Sequence, residues 1–175
     1  MVVADMKQSV KIAFCGIIAA LISVFMIASF IPNLTFAVPA LAGLLLIPVF
    51  SEAGAGYALL CFFASAVLSF FIGDKTSWVL YVAFFGYYPV LKPFAERIKA
   101  PLLKWIFKIL IFNAAALACY AAEVMFFTVT LKAWLLMLVF LLGNIAFVLY
   151  DIAVSRVAAF YYFKLHDRIS GILKK

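Results

Sequence analysis

The amino-acid sequence predicts an all-α integral membrane protein in which about six transmembrane helices form one compact bundle with both termini in the cytoplasm. Three observations lead to this prediction. Hydrophobic residue types make up 70% of the 175 residues and charged types only 12%, whereas a soluble domain is about half apolar and about a quarter charged. The apolar residues form continuous runs, whereas the strands of a membrane β-barrel alternate apolar and polar residues. Positive charge is also strongly asymmetric across the predicted membrane.

The lengths of the apolar runs predict the number of spans. One transmembrane helix needs roughly 20 apolar residues, so this sequence has room for five or six helices and for no soluble domain beside them. The second and fourth runs are short and contain prolines, so we expect these two spans to be kinked or broken. We interpret residues 1–175 as a single membrane domain with spans near residues 10–31, 36–50, 54–72, 78–91, 109–129 and 133–163.

The positive charges predict how the spans are oriented. With six spans, the N-terminus, the second and fourth connections and the C-terminus share one side, and only Lys75 and Lys132 fall in connections on the other side. Lysine and arginine accumulate on the cytoplasmic side of membrane proteins. We therefore expect both termini and a basic loop over residues 92–108 inside the cell. The basic residues on this predicted inner side are Lys7, Lys11, Lys92, Arg97, Lys99, Lys104, Lys108, Lys164, Arg168, Lys174 and Lys175.

Residue types that carry catalytic chemistry are few and dispersed. His166 is the only histidine, and Cys15, Cys61 and Cys119 lie inside apolar runs, where cysteine usually packs as a small hydrophobic residue. The sequence has no zinc-binding spacing, nucleophile turn or phosphate-binding glycine loop. We expect neither enzymatic activity nor a metal, a cofactor or a nucleic-acid partner.

Polar and aromatic residues collect near the predicted outer ends of several spans. A ligand pocket combines an apolar lining with a few converging polar groups, so these residues predict a site for a small molecule that enters from the external side. The alternatives are an interfacial aromatic belt and, for Glu123, an ion pair with Lys75 or Lys132. The predicted ligand-binding residues are Asn33, Asp74, Trp78, Tyr81, Glu123, Trp134 and Asn144.

Polar residues in the sixth span lie at membrane depth, where they are costly unless they are paired. We expect Asp151 to form a structural ion pair with Arg156 or with a lysine of the basic loop. Asn144 shares a helix face with Asp151, and an interhelical hydrogen bond is its alternative role. A small channel or an ion-coupled carrier that uses Asp151 and Asn144 is a further functional hypothesis.

One face of the first span carries almost no side-chain bulk. Ala13, Gly16, Ala20 and Ser23 follow one another at helical spacing. Such a face lets two helices approach closely in lipid. It predicts either tight packing inside the bundle or a docking face for another membrane subunit.

The layout of the chain resembles a known family. Six spans, the small-residue face, the proline-bounded stretch from Pro39 to Pro48 and the glycine-rich stretch from Glu52 to Gly56 are similar to the substrate-binding S component of energy-coupling factor (ECF) transporters. The resemblance implies a multi-pass protein of the bacterial cell membrane that binds a vitamin or similar micronutrient. It also implies two kinds of partner, a membrane T subunit that docks on the first span and cytoplasmic ATPases.

Two functional hypotheses from different classes follow. The first is a membrane-embedded subunit for micronutrient uptake that works with separate energising subunits. The second is a structural membrane scaffold of cell-wall synthesis, similar to the MreD rod-shape proteins, which also have about six short spans. The first predicts a small-molecule pocket, whereas the second predicts partners in cell-wall synthesis and no pocket.

Overall fold

A computed structural model describes residues 7–127, 132–166, 169 and 171, and for residues 122, 123 and 125–127 it describes the backbone only. Every regular element in this part of the chain is helical. In chain order the α-helices are α1 (Gln8–Ile27), α2 (Ala37–Leu44), α3 (Leu46–Ala53), α4 (Ala55–Ile72), α5 (Lys75–Leu80), α6 (Tyr88–Ala95), α7 (Pro101–Phe127) and α8 (Ala133–Phe160). A 3₁₀ turn (Ala28–Phe30) extends α1, and π-helical segments follow α5 (Tyr81–Phe85) and α8 (Tyr161–Leu165).

Four helical segments of the described residues are long and apolar enough to cross a membrane: Gln8–Phe30, Ala55–Ile72, Pro101–Ala121 and Ala133–Leu165. They correspond to the first, third, fifth and sixth predicted spans. The chain thus has the architecture of an all-α, multi-pass membrane protein. The count of six spans stays a prediction, because the second and fourth are divided into shorter helices.

The second predicted span is broken at Leu45, where α2 ends and α3 begins. The fourth is broken around the π-helical segment Tyr81–Phe85, after which the N–H of Gly86 donates to the carbonyl of Tyr81. Pro89 at the start of α6 fits this break, because proline lacks an N–H and suits the first turn of a helix. The expectation that both spans are interrupted is confirmed.

The predicted basic loop over residues 92–108 is mostly helical. Helix α6 continues to Ala95, and α7 begins at Pro101 instead of near residue 109. Proline is favoured at the first position of a helix. The two lysines that follow in α7, Lys104 and Lys108, place their ammonium groups on Glu96, at 2.8 and 2.5 Å. The positive charge of residues 92–108 therefore concealed the start of the helix in the sequence, and the orientation that it predicts stays a prediction.

Contacts between the described segments define two ends of the bundle. At one end, which we call the basic end, the Lys11 ammonium lies 5.7 Å from the ring centre of Tyr57, and Glu52 contacts His166. At the other, the far end, the Asp74 N–H donates to Ser29. The first and last described segments therefore lie at the same end of the bundle.

A close backbone contact lies in the middle of the fold, where α2 crosses the π-helical segment. A Cβ added at Gly43 would overlap the carbonyl oxygen of Phe85 and would lie 2.8 Å from the hydroxyl of Tyr150. The Tyr150 hydroxyl donates to the same Phe85 carbonyl at 3.1 Å. Glycine at residue 43 is therefore a packing requirement, because backbone atoms cannot move aside as a flexible side chain can.

We expect Gly43→Ala to lower the free energy of unfolding by about 1–3 kcal/mol, the usual cost of overpacking a core. Thermal unfolding in detergent would measure this loss. Gly16→Ala is the matched control, since a Cβ there meets nothing within 4 Å, and it should leave stability unchanged or raise it by up to about 1 kcal/mol, because alanine favours a helix interior. Equal effects of the two variants would contradict the close contact at Gly43.

Candidate functional site

A buried carboxylate, Asp151 of α8, lies between two buried lysines. Its Oδ1 is 2.6 Å from Nζ of Lys92 in α6 and 3.0 Å from Nζ of Lys108 in α7. Oδ1 also accepts a 2.5 Å hydrogen bond from the Tyr88 hydroxyl. The side chains of Asp151, Lys92 and Lys108 are at most 7% exposed. A buried charge is stable only when it is paired, so the positions of these three helices depend on one another.

Both lysines use their donors inside the protein. Lys92 also donates to the backbone carbonyl of Asp151 and to the hydroxyl of Ser155. Lys108 also donates to Glu96 at 2.5 Å. An ammonium group has three N–H donors, and each of these two groups has three acceptors. The charge cluster, by which we mean Lys92, Glu96, Lys108 and Asp151, therefore has an acceptor inside the protein for every ammonium donor and balances two positive with two negative charges.

Glu96 extends the charge cluster into the turn between α6 and α7. Partial burial works against ionisation of this carboxyl. Hydrogen bonds from Lys104 at 2.8 Å and from Lys108 outweigh that effect and hold the pKa of Glu96 below its usual value. A lowered pKa in the folded state means that the stabilisation is present at neutral pH and is lost as the pH falls through that pKa.

Arg156 does not pair with Asp151 in the described part of the chain, and its side chain is exposed. Five residues turn an α-helix by about 140° beyond a full turn, so Arg156 points away from the face that holds Asp151. The structure therefore replaces the Asp151–Arg156 pair with lysines of residues 92–108, the other partners considered from the sequence. The sequence could not show which basic residue pairs with Asp151, because Lys92 and Asp151 are far apart in the chain.

A second buried carboxylate, Glu52, lies at the end of α3 at the basic end. Its side chain is 0% exposed. Its Oε1 accepts a 2.6 Å hydrogen bond from the Tyr161 hydroxyl and lies 2.7 Å from Nδ1 of His166. Its Oε2 is buried and has no hydrogen-bond partner among the described residues. We call the contact of Glu52 with Tyr161 and His166 the tail contact, because it joins α3 to the π-helical segment after α8.

An amide pair joins α7 to α8. Each of Asn113 and Asn144 donates to the side-chain oxygen of the other, at 3.0 and 3.1 Å. Each amide also donates to a carbonyl one turn earlier in its own helix, so all four N–H groups are used. This geometry is the interhelical hydrogen bond that was the alternative role of Asn144. Asn144 as a ligand-binding residue stays a prediction.

Three other predicted ligand-binding residues lie near the far end, and each has a partner inside the protein. Asp74 caps the start of α5. The indole N–H of Trp78 donates to the carbonyl of Ala66 at 2.8 Å, and the hydroxyl of Tyr81 lies 2.7 Å from that of Ser65. Trp78 and Tyr81 therefore hold the π-helical segment against α4, so they have a structural role whether or not a ligand reaches them.

The remaining predicted ligand-binding residues are Asn33, Trp134 and Glu123. Asn33 is in the turn after α1 and has a positive φ of 71°. Trp134 is at the start of α8 and is 64% exposed, as an interfacial aromatic residue would be. Glu123 is on the backbone of α7, and its side chain lies outside the described residues.

The small-residue face of α1 is divided by the structure. Ala13, Gly16 and Ala20 are exposed, whereas Ser23 is buried and donates to the carbonyl of Ala19. Helix α1 contacts α4 along the strip of its surface next to this face, where the Cys61 thiol lies 3.4 Å from the carbonyl of Cys15. Ser23 therefore does not lie on the exposed face, while the other three residues remain open to lipid or to a partner.

An open apolar groove runs beside this face, between α1 and α4. Gly16 and Ala19 line it on α1, and Leu60 and Ala64 line it on α4. Small side chains along its floor leave room for the ridge of another helix. We call Ala13, Gly16, Ala20 and this groove the docking face.

Sequence reasoning missed the tail contact and gave Lys92 and Lys108 no individual role. A lone acid after an apolar stretch, as at Glu52, is the signal that could have singled out the first. Within the described ranges, no group of three or more His, Cys, Asp or Glu residues is placed to hold a metal ion. The arrangement at the basic end is thus one of ion pairs and hydrogen bonds that connect helices.

Together, the long apolar helices and the buried polar contacts between them define a helical membrane-protein bundle. Comparison of the chain with protein-family models, curated proteins and solved structures gave no match.

We expect Asp151→Asn to destabilise the bundle by about 3–5 kcal/mol, because it leaves Glu96 as the one remaining negative charge beside two buried lysines in the charge cluster. Unfolding in detergent, followed by tryptophan fluorescence, would measure the loss. Arg156→Ala is the control on the same helix and should change stability by less than about 0.5 kcal/mol. A large effect of Arg156→Ala with a small effect of Asp151→Asn would contradict the assignment of partners.

Proposed function

We propose that this chain is a membrane subunit that works through a second membrane protein, one of whose transmembrane helices binds the docking face. The exposure of Ala13, Gly16 and Ala20 on a helix long enough to cross the membrane supports this proposal. Association of helices in lipid depends on close packing, and small residues permit it. Nothing lies within 4 Å of a Cβ added at Gly16, so a partner backbone has room to approach there.

In its specific form, the proposal is that the chain takes up a vitamin or similar micronutrient as the S component of an ECF-type transporter. A membrane T subunit would occupy the docking face, and cytoplasmic ATPases would energise the complex. Positive charge at the basic end supports a cytoplasmic position for that end and for both termini in a bacterial cell membrane. The ligand would then enter at the far end.

A ligand at the far end would compete with bonds that the protein already makes. It would have to displace the Trp78 indole from Ala66 or the Tyr81 hydroxyl from Ser65. Leaving buried polar groups without hydrogen-bond partners destabilises the protein. The uptake form of the proposal therefore includes a rearrangement of the π-helical segment when the ligand binds.

The first test is to purify the chain from its native host in mild detergent with a C-terminal tag and to identify bound proteins by mass spectrometry. We expect a T subunit and two ATPases. Gly16→Leu should reduce their recovery about tenfold or more, which corresponds to at least ~1.4 kcal/mol of binding free energy, because the added side chain fills the docking face.

Gly56→Leu is the matched control, since residue 56 is also exposed with nothing within 4 Å of an added Cβ but does not line the groove. It should leave the recovery of partners unchanged. Equal loss in both variants would contradict the docking face. Recovery of cell-wall synthesis proteins instead of a transporter module would contradict the uptake form of the proposal.

The second candidate function is a structural scaffold of cell-wall synthesis, and one observation favours it. The polar groups of Asp74, Trp78 and Tyr81 at the far end already have partners within the protein. This is what we expect of a protein that binds no small molecule at that end. A scaffold would use the docking face in the same way, with a different partner. The two candidates differ in whether the far end binds a small molecule.

Trp78→Phe separates the two candidates, because it removes the indole N–H and keeps an aromatic ring. We expect a loss of stability of about 1 kcal/mol in either case, since the Ala66 carbonyl loses a donor. For an uptake subunit, untargeted mass spectrometry should also find less co-purified small molecule in the variant than in the wild type. For a scaffold, no small molecule should co-purify with either protein, while the protein partners remain bound.

A further inference from the structure

The tail contact contains a feature that neither docking nor ligand binding uses. Glu52 is 0% exposed, and its Oε2 has no hydrogen-bond partner in the described part of the chain. Ionised carboxylates are rarely buried without a balancing charge, because desolvation is costly. The question is therefore what balances the charge of Glu52.

The charged and titratable groups on the neighbouring elements supply one answer. On α1 and α4, the Lys11 ammonium lies over the Tyr57 ring. On α6, Lys92 is engaged by Asp151. Facing Glu52 from the segment after α8 are the phenol of Tyr161 and the imidazole of His166, whose ring also lies 5.7 Å from that of Tyr162. His166 is the only basic group within ion-pair distance of Glu52 among the described residues.

We propose that Glu52, Tyr161 and His166 form a site that binds one proton, shared between the carboxyl of Glu52 and Nδ1 of His166. With the proton bound, the pair is either a carboxylate with an imidazolium or a carboxylic acid with a neutral imidazole, and both arrangements avoid an unbalanced charge. When the proton leaves to water, the pair carries one negative charge in a buried position. The side chain of His166 is 31% exposed, which gives the proton a route to solvent.

The bound proton holds residues 161–166 against α3. Loss of the proton leaves Glu52 as a buried anion without a cation. The carboxylate is then more stable in contact with water than in the buried position. The tail contact is therefore tight in mildly acidic solution and opens as the pH rises. Because the contact lies at the basic end, its opening changes the surface on the side that carries most of the positive charge.

Hydrogen exchange measured by mass spectrometry on the full chain in detergent tests this site. Protection factors for residues 161–166, corrected for intrinsic exchange, should fall at least about tenfold between about pH 6 and about pH 9. Glu52→Gln keeps an oxygen that accepts from Tyr161 and cannot ionise, so in this variant protection should stay the same across that range. Protection of α4 serves as the internal measure of folding.

Two further measurements make the test decisive. His166 is the only histidine, so a chain with ¹⁵N-labelled histidine and a histidine-free tag gives one imidazole whose protonation and Nδ1 hydrogen bond are read directly by NMR. The ¹⁵N chemical shifts of this imidazole should change in the Glu52→Gln variant. Arg168→Ala is the control for a charge contributed by the following residues, and it should leave the pH dependence intact.

Three outcomes would overturn the proposal. The first is equal protection of residues 161–166 at both pH values in the wild type. The second is an unchanged pH dependence in Glu52→Gln. The third is loss of the pH dependence in Arg168→Ala, which would assign the balancing charge to Arg168 instead of His166. If hydrogen exchange shows that α4 is not protected in Glu52→Gln, that variant has not folded, and Tyr161→Phe is measured in its place. That variant removes one donor to Glu52 and should keep the pH dependence while lowering protection at both pH values.

Discussion

Burial of charge is the constraint on which the rest of this bundle depends. Asp151 is acceptable in an apolar interior only because Lys92 and Lys108 reach it from two other helices. Hydrophobic association does little to order helices in lipid, since lipid tails are as apolar as leucine. The charge cluster and the amide pair between Asn113 and Asn144 therefore specify which faces of α6, α7 and α8 meet.

The interruptions in the helices also help buried polar groups to find partners. Irregular backbone at membrane depth is tolerated where protein surrounds it, and both π-helical segments begin at a buried tyrosine. Tyr81 bonds to Ser65 of α4, and Tyr161 bonds to Glu52 of α3. Gly43 allows the backbone of α2 to pass directly over the first π-helical segment. The breaks thus bring short helices and polar side chains into contacts that straight helices would not reach.

Function in such a protein depends on which surfaces remain open after these internal contacts are made. The ammonium donors of the charge cluster are used inside the protein, and so are the polar groups of Trp78 and Tyr81. The docking face on α1 remains open. This contrast is the basis of our proposal that the chain acts through association, whether in uptake of a micronutrient or as a scaffold. Among the described residues, Oε2 of Glu52 at the basic end has no such internal partner.

The sequence by itself determined the all-helical membrane class, the central parts of the long helices and the two interrupted segments, because apolar run length and proline act locally. It also marked Asp151 as a residue that needs a partner. Only the tertiary structure decided that the partners are Lys92 and Lys108, that Glu52 meets His166, and that Ser23 is turned inward while Gly16 stays exposed. These facts depend on how helices distant in the chain are rotated and placed against one another, and periodicity within one helix does not contain that information.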